Sequence, residues 1–397
     1  MLADGSRFTH ADMATIESGV SPTAGLIRNS GIIRATGAME TGGEVFLVNP
    51  GGKIMSDGTI AAYRQNQKGI GGGNVKVAAQ GGSAEIGGTI DVSGTNGGTV
   101  TVEADNVQLA GATIDASGTN GGGKVNIGGG LQGNDPSIAN ATTTSVDSAS
   151  SIHADTTELG DGGQVVIWSN NATEYYGLIS SRGGVNGGNG GTVEVSGAAL
   201  AFGGTVDTSA SMGSAGWLLL DPVGIQIVQG PLGRPVTGTD PVLTLTDGTL
   251  NSVLEFTNLL LATSSTETNL VASPGGIDQG RGGSGANDDN IIVSAGTAID
   301  TGSNTLFFST STVDLYADIV GNVSGGVESN STLEGFVIRD PSVVNVYDSG
   351  TTTGSIQDAV DMVATGGTVN VGDGTFAGGV SIDKDISLFG DGPTNTS

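Results

Sequence analysis

The recurrence of one β-branched residue constrains this chain more than any other feature. Ile33, Ile60, Ile90, Ile114, Ile152, Ile179 and Val206 follow one another at intervals of 27, 30, 24, 38, 27 and 27 residues. A second signature, Gly-Gly-x-Val-x-(Val/Leu/Ile), starts at Gly42, Gly72, Gly97, Gly162 and Gly190 with matching spacing. Repetition at such a period means supersecondary units that stack and bury their apolar faces against each other. The clearest unit contains three short alternating runs, 99–103, 106–109 and 113–116. Alternation marks strands with one buried face, so Val100, Val102, Val107, Leu109, Ile114 and Ala116 are expected inside. Thr99, Thr101, Glu103 and Asp115 are expected to face solvent. Three strands and three corners use roughly 25 residues, one coil of a parallel β-helix.

Composition agrees with that reading. Gly fills 72 of 397 positions, and Gly with Asn supplies positive φ at corners. Gly at this density argues against helix, since each costs about 1 kcal/mol relative to Ala. Coils about 4.8 Å apart place equivalent residues over one another, and large aromatics would overfill so narrow a core. Aromatics are indeed 4% of the chain. The 36% apolar content argues against disorder, and no strict Gly-X-Y period suggests collagen.

Charge and residue inventory narrow the function. Thirteen Lys and Arg against 40 Asp and Glu give a net charge of −27, which repels nucleic acid and anionic lipid. The absence of Cys excludes disulfides, zinc–thiolate sites, iron–sulfur clusters and thiol nucleophiles. No apolar run reaches the roughly 18 residues that a membrane-spanning helix needs. His153 is expected on an outward strand position, and His10 lies in an irregular amino end. No catalytic, cofactor-binding or metal-ligating residue is predicted. Gly187–Gly191 resembles a phosphate-cradling loop, but such loops precede a helix, and here a strand is expected. Residues 280–290 are faintly similar to a calcium-binding nonapeptide, yet one copy supplies too few oxygen ligands. Asn140, Asn171, Asn322 and Asn330 match the glycosylation pattern.

The expected organisation is an irregular end at 1–24, Gly-rich coils at 25–222, a less regular solenoid at 223–335 and a further β-helical start at 336–397. The texture changes after Asp221-Pro222, with Pro231, Pro235 and Pro241 clustered. A short amphipathic helix is predicted near 250–261, with Leu250, Val253, Leu254 and Leu261 near one face. A second, capping helix is predicted near 355–363. The amino end shows no secretory signal, and patterned units run almost to both ends, so the chain reads as an internal piece of a longer exported protein.

Several linked motifs resemble a known family. Gly160-Asp161-Gly162-Gly163-Gln164-Val165-Val166-Ile167-Trp168-Ser169 is followed by Gly177-Leu178-Ile179-Ser180-Ser181-Arg182-Gly183-Gly184. Next come Gly190-Gly191-Thr192-Val193-Glu194-Val195-Ser196-Gly197 and Trp217-Leu218-Leu219-Leu220-Asp221-Pro222. This order is similar to large exoproteins of the filamentous haemagglutinin family, exported by two-partner secretion in Gram-negative bacteria. The likeness covers roughly 25–230, and more loosely up to about 325. It implies a right-handed parallel β-helix, passage through an outer-membrane pore partner, and display at the cell surface as an adhesin for glycans or proteins. The family's Asn-Pro-Asn-Gly motif finds its nearest string in Asn49-Pro50-Gly51-Gly52, so the secretion domain itself is expected upstream. Residues 355–390 resemble the opening coil of pectate-lyase and pectinesterase-like β-helices, whose catalytic carboxylates come from later coils. Two alternatives follow: a polysaccharide-active enzyme with catalytic coils beyond Ser397, or the stalk of a contact-dependent toxin.

Overall fold

The computed structural model describes residues 7–9, 14–16, 20–23, 25–35, 43–62, 72–229, 242–263, 290–310, 312–324, 332–333, 336–337, 341–350 and 353–390. Among these the chain is an all-β parallel solenoid with two short helices. Each regular coil has three sides. One long strand bends in the middle and supplies the first two; a three-residue strand supplies the third. Thr99–Leu109 is typical: it pairs with Asn74–Ile86 on both sides of a register shift between Ala104 and Asn106. Thr113–Asp115 then forms the third side.

The periodic residues become ladders. Ile33, Ile60, Ile90, Ile114, Ile152, Ile179 and Val206 are direct partners in successive third-side strands, and all are buried. The valine of the Gly-Gly signature starts a longer column on the first side. It runs through Val45, Val75, Val100, Val125, Val165, Val193, Leu218, Leu259, Leu306 and Val323. Burying each such side chain contributes roughly 1.5–3 kcal/mol, and the ladders form one continuous core. The first glycine of the signature is steric in origin, because a Cβ on Gly97 would overlap the carbonyl oxygen of Ala116. The interval of 38 residues between Ile114 and Ile152 comes from an excursion at 128–141. It contains the one-turn helix Leu131–Gly133 and leaves the register on both sides intact.

Aromatic rings are not wholly kept out of this core. Tyr175 and Phe202 stack inside the second side with centroids 5.5 Å apart, and the Tyr175 hydroxyl donates to the Thr205 carbonyl at 2.8 Å. The neighbouring column runs Val107, Thr144, Thr173 and Leu200.

Residues 1–24, expected to be irregular, include three short strands. Arg7–Thr9, Ala14–Ile16 and Val20–Thr23 pair antiparallel with the first strand of each side. Antiparallel partners cover edges that would otherwise present unpaired backbone groups.

The first helix also departs from expectation. Helix α1 spans Asp247–Leu254, capped by Thr246, whose hydroxyl accepts the Thr249 amide at 3.2 Å. Asn258–Ala262, placed by sequence in that helix, is instead a strand pairing with Trp217–Asp221 and Ile299–Ser309. Leu259 and Leu261 enter the main core, while Leu260 packs on the opposite face with Leu219 and Phe307. A leucine run therefore satisfies a strand buried on both faces, which helical periodicity alone does not exclude. Helix α1 replaces a third-side strand. Its Asn251 accepts from the Asp300 amide and donates to the Ala298 carbonyl, at 3.0 and 2.8 Å.

Helix α2, Ile356–Met362, lies where the capping helix was predicted. It packs against Ile319–Ser324, the last strand of the bent sheet. The Ile319 amide donates to its Asp358 carboxylate at 3.1 Å. A separate parallel sheet runs on past it: Thr312–Leu315, Val343–Val346, Thr368–Val371 and Ser387–Gly390 pair in parallel register without interruption.

Candidate functional site

Several carboxylates at the bends accept amides from neighbouring coils. Asp105, Asp147 and Asp161 accept the amides of Gly81, Gly111 and Asn189 at 2.8, 3.0 and 2.7 Å, each from an adjacent coil. Asn49-Pro50-Gly51-Gly52 forms another corner, with the Gly52 amide donating to the Asn49 carbonyl at 3.1 Å. Gly187–Gly191 leads into the strand Thr192–Phe202, as expected of a corner. His153 is half-buried in an outward column between Asp115 and Ser180. The Asn140 amide nitrogen donates to the Gly133 carbonyl at 2.9 Å, whereas Asn171 is exposed. His10, residues 280–289, Asn330 and the side chain of Asn322 lie outside the described residues.

Two expected solvent-facing residues are buried. Thr101 and Glu103 sit on the outer side of their sheet yet are covered. Glu103 receives the Lys76 ammonium at 2.7 Å and the Gln80 amide at 2.9 Å, both from the preceding coil. Cross-strand register therefore supplies partners that alternation within one strand does not reveal. Asp155 behaves similarly at a corner. Burial opposes its ionisation, but the Arg182 guanidinium at 3.0 Å, the Ser180 hydroxyl at 2.6 Å and the Arg182 amide at 2.7 Å outweigh it. They hold the carboxyl below its ordinary range.

The most perturbed carboxylate is Glu194, buried on the outer side of the first sheet under the 128–141 excursion. Burial pushes its pKa up to about 8, and the nearby Asp221 charge pushes the same way. The Gln132 amide, donating at 2.8 Å, opposes the shift. Gln132 itself has φ of +51°, so the excursion is bent to reach the carboxylate. At the far end, burial also raises Asp358 above the usual carboxylate range, with the Asp318 carboxylate adding to the effect.

A different pattern occupies the outer side of the late sheet. Asp314, Asn345 and Asn370 are successive register partners. The Asn345 amide donates to Asp314 at 2.7 Å, and the Asn370 amide donates to Asn345 at 2.9 Å. Burial raises Asp314, and the Asn345 amide moderates the rise. Two residues further along the chain, Tyr316 and Tyr347 stack with centroids 4.5 Å apart and planes 13° from parallel. Sequence reasoning passed over this site, although its signal is present: Asp314-Leu-Tyr316, Asn345-Val-Tyr347 and Asn370-Val-Gly372 repeat one polar–aliphatic–aromatic triplet that loses its ring at the third copy. A groove on the second side of the early coils is lined by Lys53, Glu85, Asn106, Gln108 and Thr143.

Among the described residues no group of three or more His, Cys, Asp or Glu is placed to hold a metal ion. Among the same residues no helix is long and apolar enough to cross a membrane. No protein-family model and no curated protein sequence matches the chain. The outward columns present amides, carboxylates, hydroxyls and tyrosine rings in register from coil to coil.

Proposed function

We propose that this chain is a structural and binding segment of a secreted bacterial surface adhesin of the filamentous haemagglutinin type. In this reading the role is non-catalytic: the solenoid carries binding surfaces for glycans or proteins away from the cell. An outer-membrane two-partner secretion pore serves as its export partner. The observation that carries the proposal is the unbroken first-side ladder from Val45 to Val323, which makes nearly the whole described chain one stack. Such a stack keeps outward columns at fixed spacing. The net charge of −27 suits a protein that stays soluble outside the cell and avoids nucleic acid and anionic lipid.

The test is attachment of the purified, fluorescently labelled chain to epithelial monolayers and to glycan- or matrix-protein-coated beads. Saturable attachment without cleavage of the coated polymer is expected. Absence of saturable attachment to every surface overturns the proposal. Release of unsaturated uronates or new reducing ends from polysaccharide would replace it with the enzymatic alternative.

A further inference from the structure

The 128–141 excursion is closed at its base and fastened near its middle. The Ala141 amide donates to the Gly128 carbonyl at 2.6 Å, so the two ends meet. Inside the segment, the Gly133, Asn134 and Ile138 amides donate to the carbonyls of Gly130, Leu131 and Asp135. Joined ends and internal bonds are the pattern of an Ω-loop. The flanking strands Lys124–Ile127 and Thr143–Val146 keep their register through neighbouring coils, so lifting the loop leaves them paired. What holds the loop down lies near its middle. Gly129 and Gly133 rest on Trp168, where a Cβ on either would fall 2.5 Å from a ring carbon. Leu131 packs on the outer cluster that contains Leu219, and the Gln132 amide donates to Glu194 at 2.8 Å.

The carboxyl beneath is poorly provided for as an anion. Glu194 is fully buried; one of its oxygens accepts the Gln132 amide, and the other has no hydrogen-bond partner. The Ser196 hydroxyl, two residues along the same outward face, is also buried without a partner. Val166 and Leu219 flank Glu194 in register and bring no polar side-chain atom. Among the described residues the titratable group facing it is Asp221, whose charge opposes ionisation. Asp135, on the loop, is engaged by the Ser137 hydroxyl and amide at 2.6 and 2.9 Å. A neutral carboxyl tolerates such a site. A carboxylate does not, because a buried charge needs solvation that these groups do not supply. Lifting the loop lets water supply it.

We propose that the 128–141 loop is a strap governed by one proton. It lies closed over neutral Glu194 and opens more often as that carboxyl ionises, baring Trp168 and the outer face around Leu219 while the coils stay stacked. The sign follows from the two states. Glu194 is held up to about 8 when covered, against 4.5 ordinarily. Closure is therefore strongest below 4.5 and weakens as pH rises toward 8. The open-to-closed ratio should grow about tenfold per pH unit across that window and level off above it. The strap works in this way whatever the solenoid binds.

Hydrogen exchange of the full chain, read by mass spectrometry on peptides from 128–141 and from the flanking strands, tests the strap. Rates are expressed as protection relative to an unstructured peptide at the same pH, which removes the pH dependence of exchange itself. Wild type and Glu194→Gln should protect the strap equally at pH 4.5. At pH 8 wild type should protect it at least a hundredfold less than the variant. At every pH the strap should be at least a hundredfold less protected than the flanking strands. Equal strap protection in the two proteins at pH 8 overturns the proposal. So does equal protection of strap and strands, which would mean that the carboxyl is exposed only when the whole chain unfolds. If Glu194→Gln does not fold, wild type alone decides: strap protection should fall about tenfold per pH unit from 5 to 8, and constant protection overturns the strap.

Discussion

Glu194 makes folding of this protein sensitive to pH, and the sign and size follow from its surroundings. Its carboxyl is fully buried beneath the 128–141 excursion, with Asp221 nearby, and its pKa rises from 4.5 to about 8. The folded chain therefore retains a proton that the unfolded chain releases. Stability from this group is complete below the unfolded value, declines as pH rises from about 4.5, and is lost by about pH 8. Each pH unit across that window is worth about 1.4 kcal/mol, so the whole window costs about 4–5 kcal/mol. A chain this long gains unfolding entropy of roughly 0.8 kcal/mol per degree, which converts the loss to about 5 °C of melting temperature. Glu194→Gln keeps the shape and an acceptor for the Gln132 amide but cannot ionise. Melting wild type and Glu194→Gln by circular dichroism at pH 4.5 and 8.5 isolates the effect from every other titrating group. The variant should match wild type at the lower pH and exceed it by about 5 °C at the higher. An equal difference between the two proteins at both pH values would refute the reasoning.

Further perturbations test the ladders and the Lys76–Glu103 ion pair. Ile152→Ala truncates an interior rung of the third-side column and should cost about 2–5 kcal/mol in urea denaturation. Gly97→Ala forces a methyl onto the Ala116 carbonyl and should lower the melting temperature by several degrees, whereas Gly379→Ala, open on all sides, should leave it unchanged. Lys76→Met removes the cationic partner of the buried Glu103 carboxyl, which keeps the Gln80 amide, and should cost about 1–3 kcal/mol; adding Glu103→Gln should recover most of that loss.

These residues also mark the boundary between what the sequence discloses and what it conceals. The inward half of each coil was legible because one rule governs it. Ile114 must face the core, and its partners Ile90 and Ile152 obey the same rule, so the period survives insertions as large as the 128–141 excursion. Strand and helix were harder to separate where both faces are buried, and the leucines at 259–261 read as either until Leu260 is seen packing on Leu219 and Phe307. The outward half follows no comparable rule. Glu103 is buried because Lys76 lies on the coil before it, and Glu194 because an excursion two coils earlier in the chain folds over it. Both depend on register across tens of residues, which local alternation does not encode. The tyrosine stack was concealed in yet another way. Its triplets are separated by 31 and 25 residues, spacings within the range of the early coils, but they occur only three times, with helix α2 inserted between the second and third, and the third lacks the ring. Once coils are stacked, however, an outward triplet repeated in register must form a column whatever its spacing along the chain. Among the described residues that column holds the rings of Tyr316 and Tyr347 and has glycine, Gly372, at its third rung.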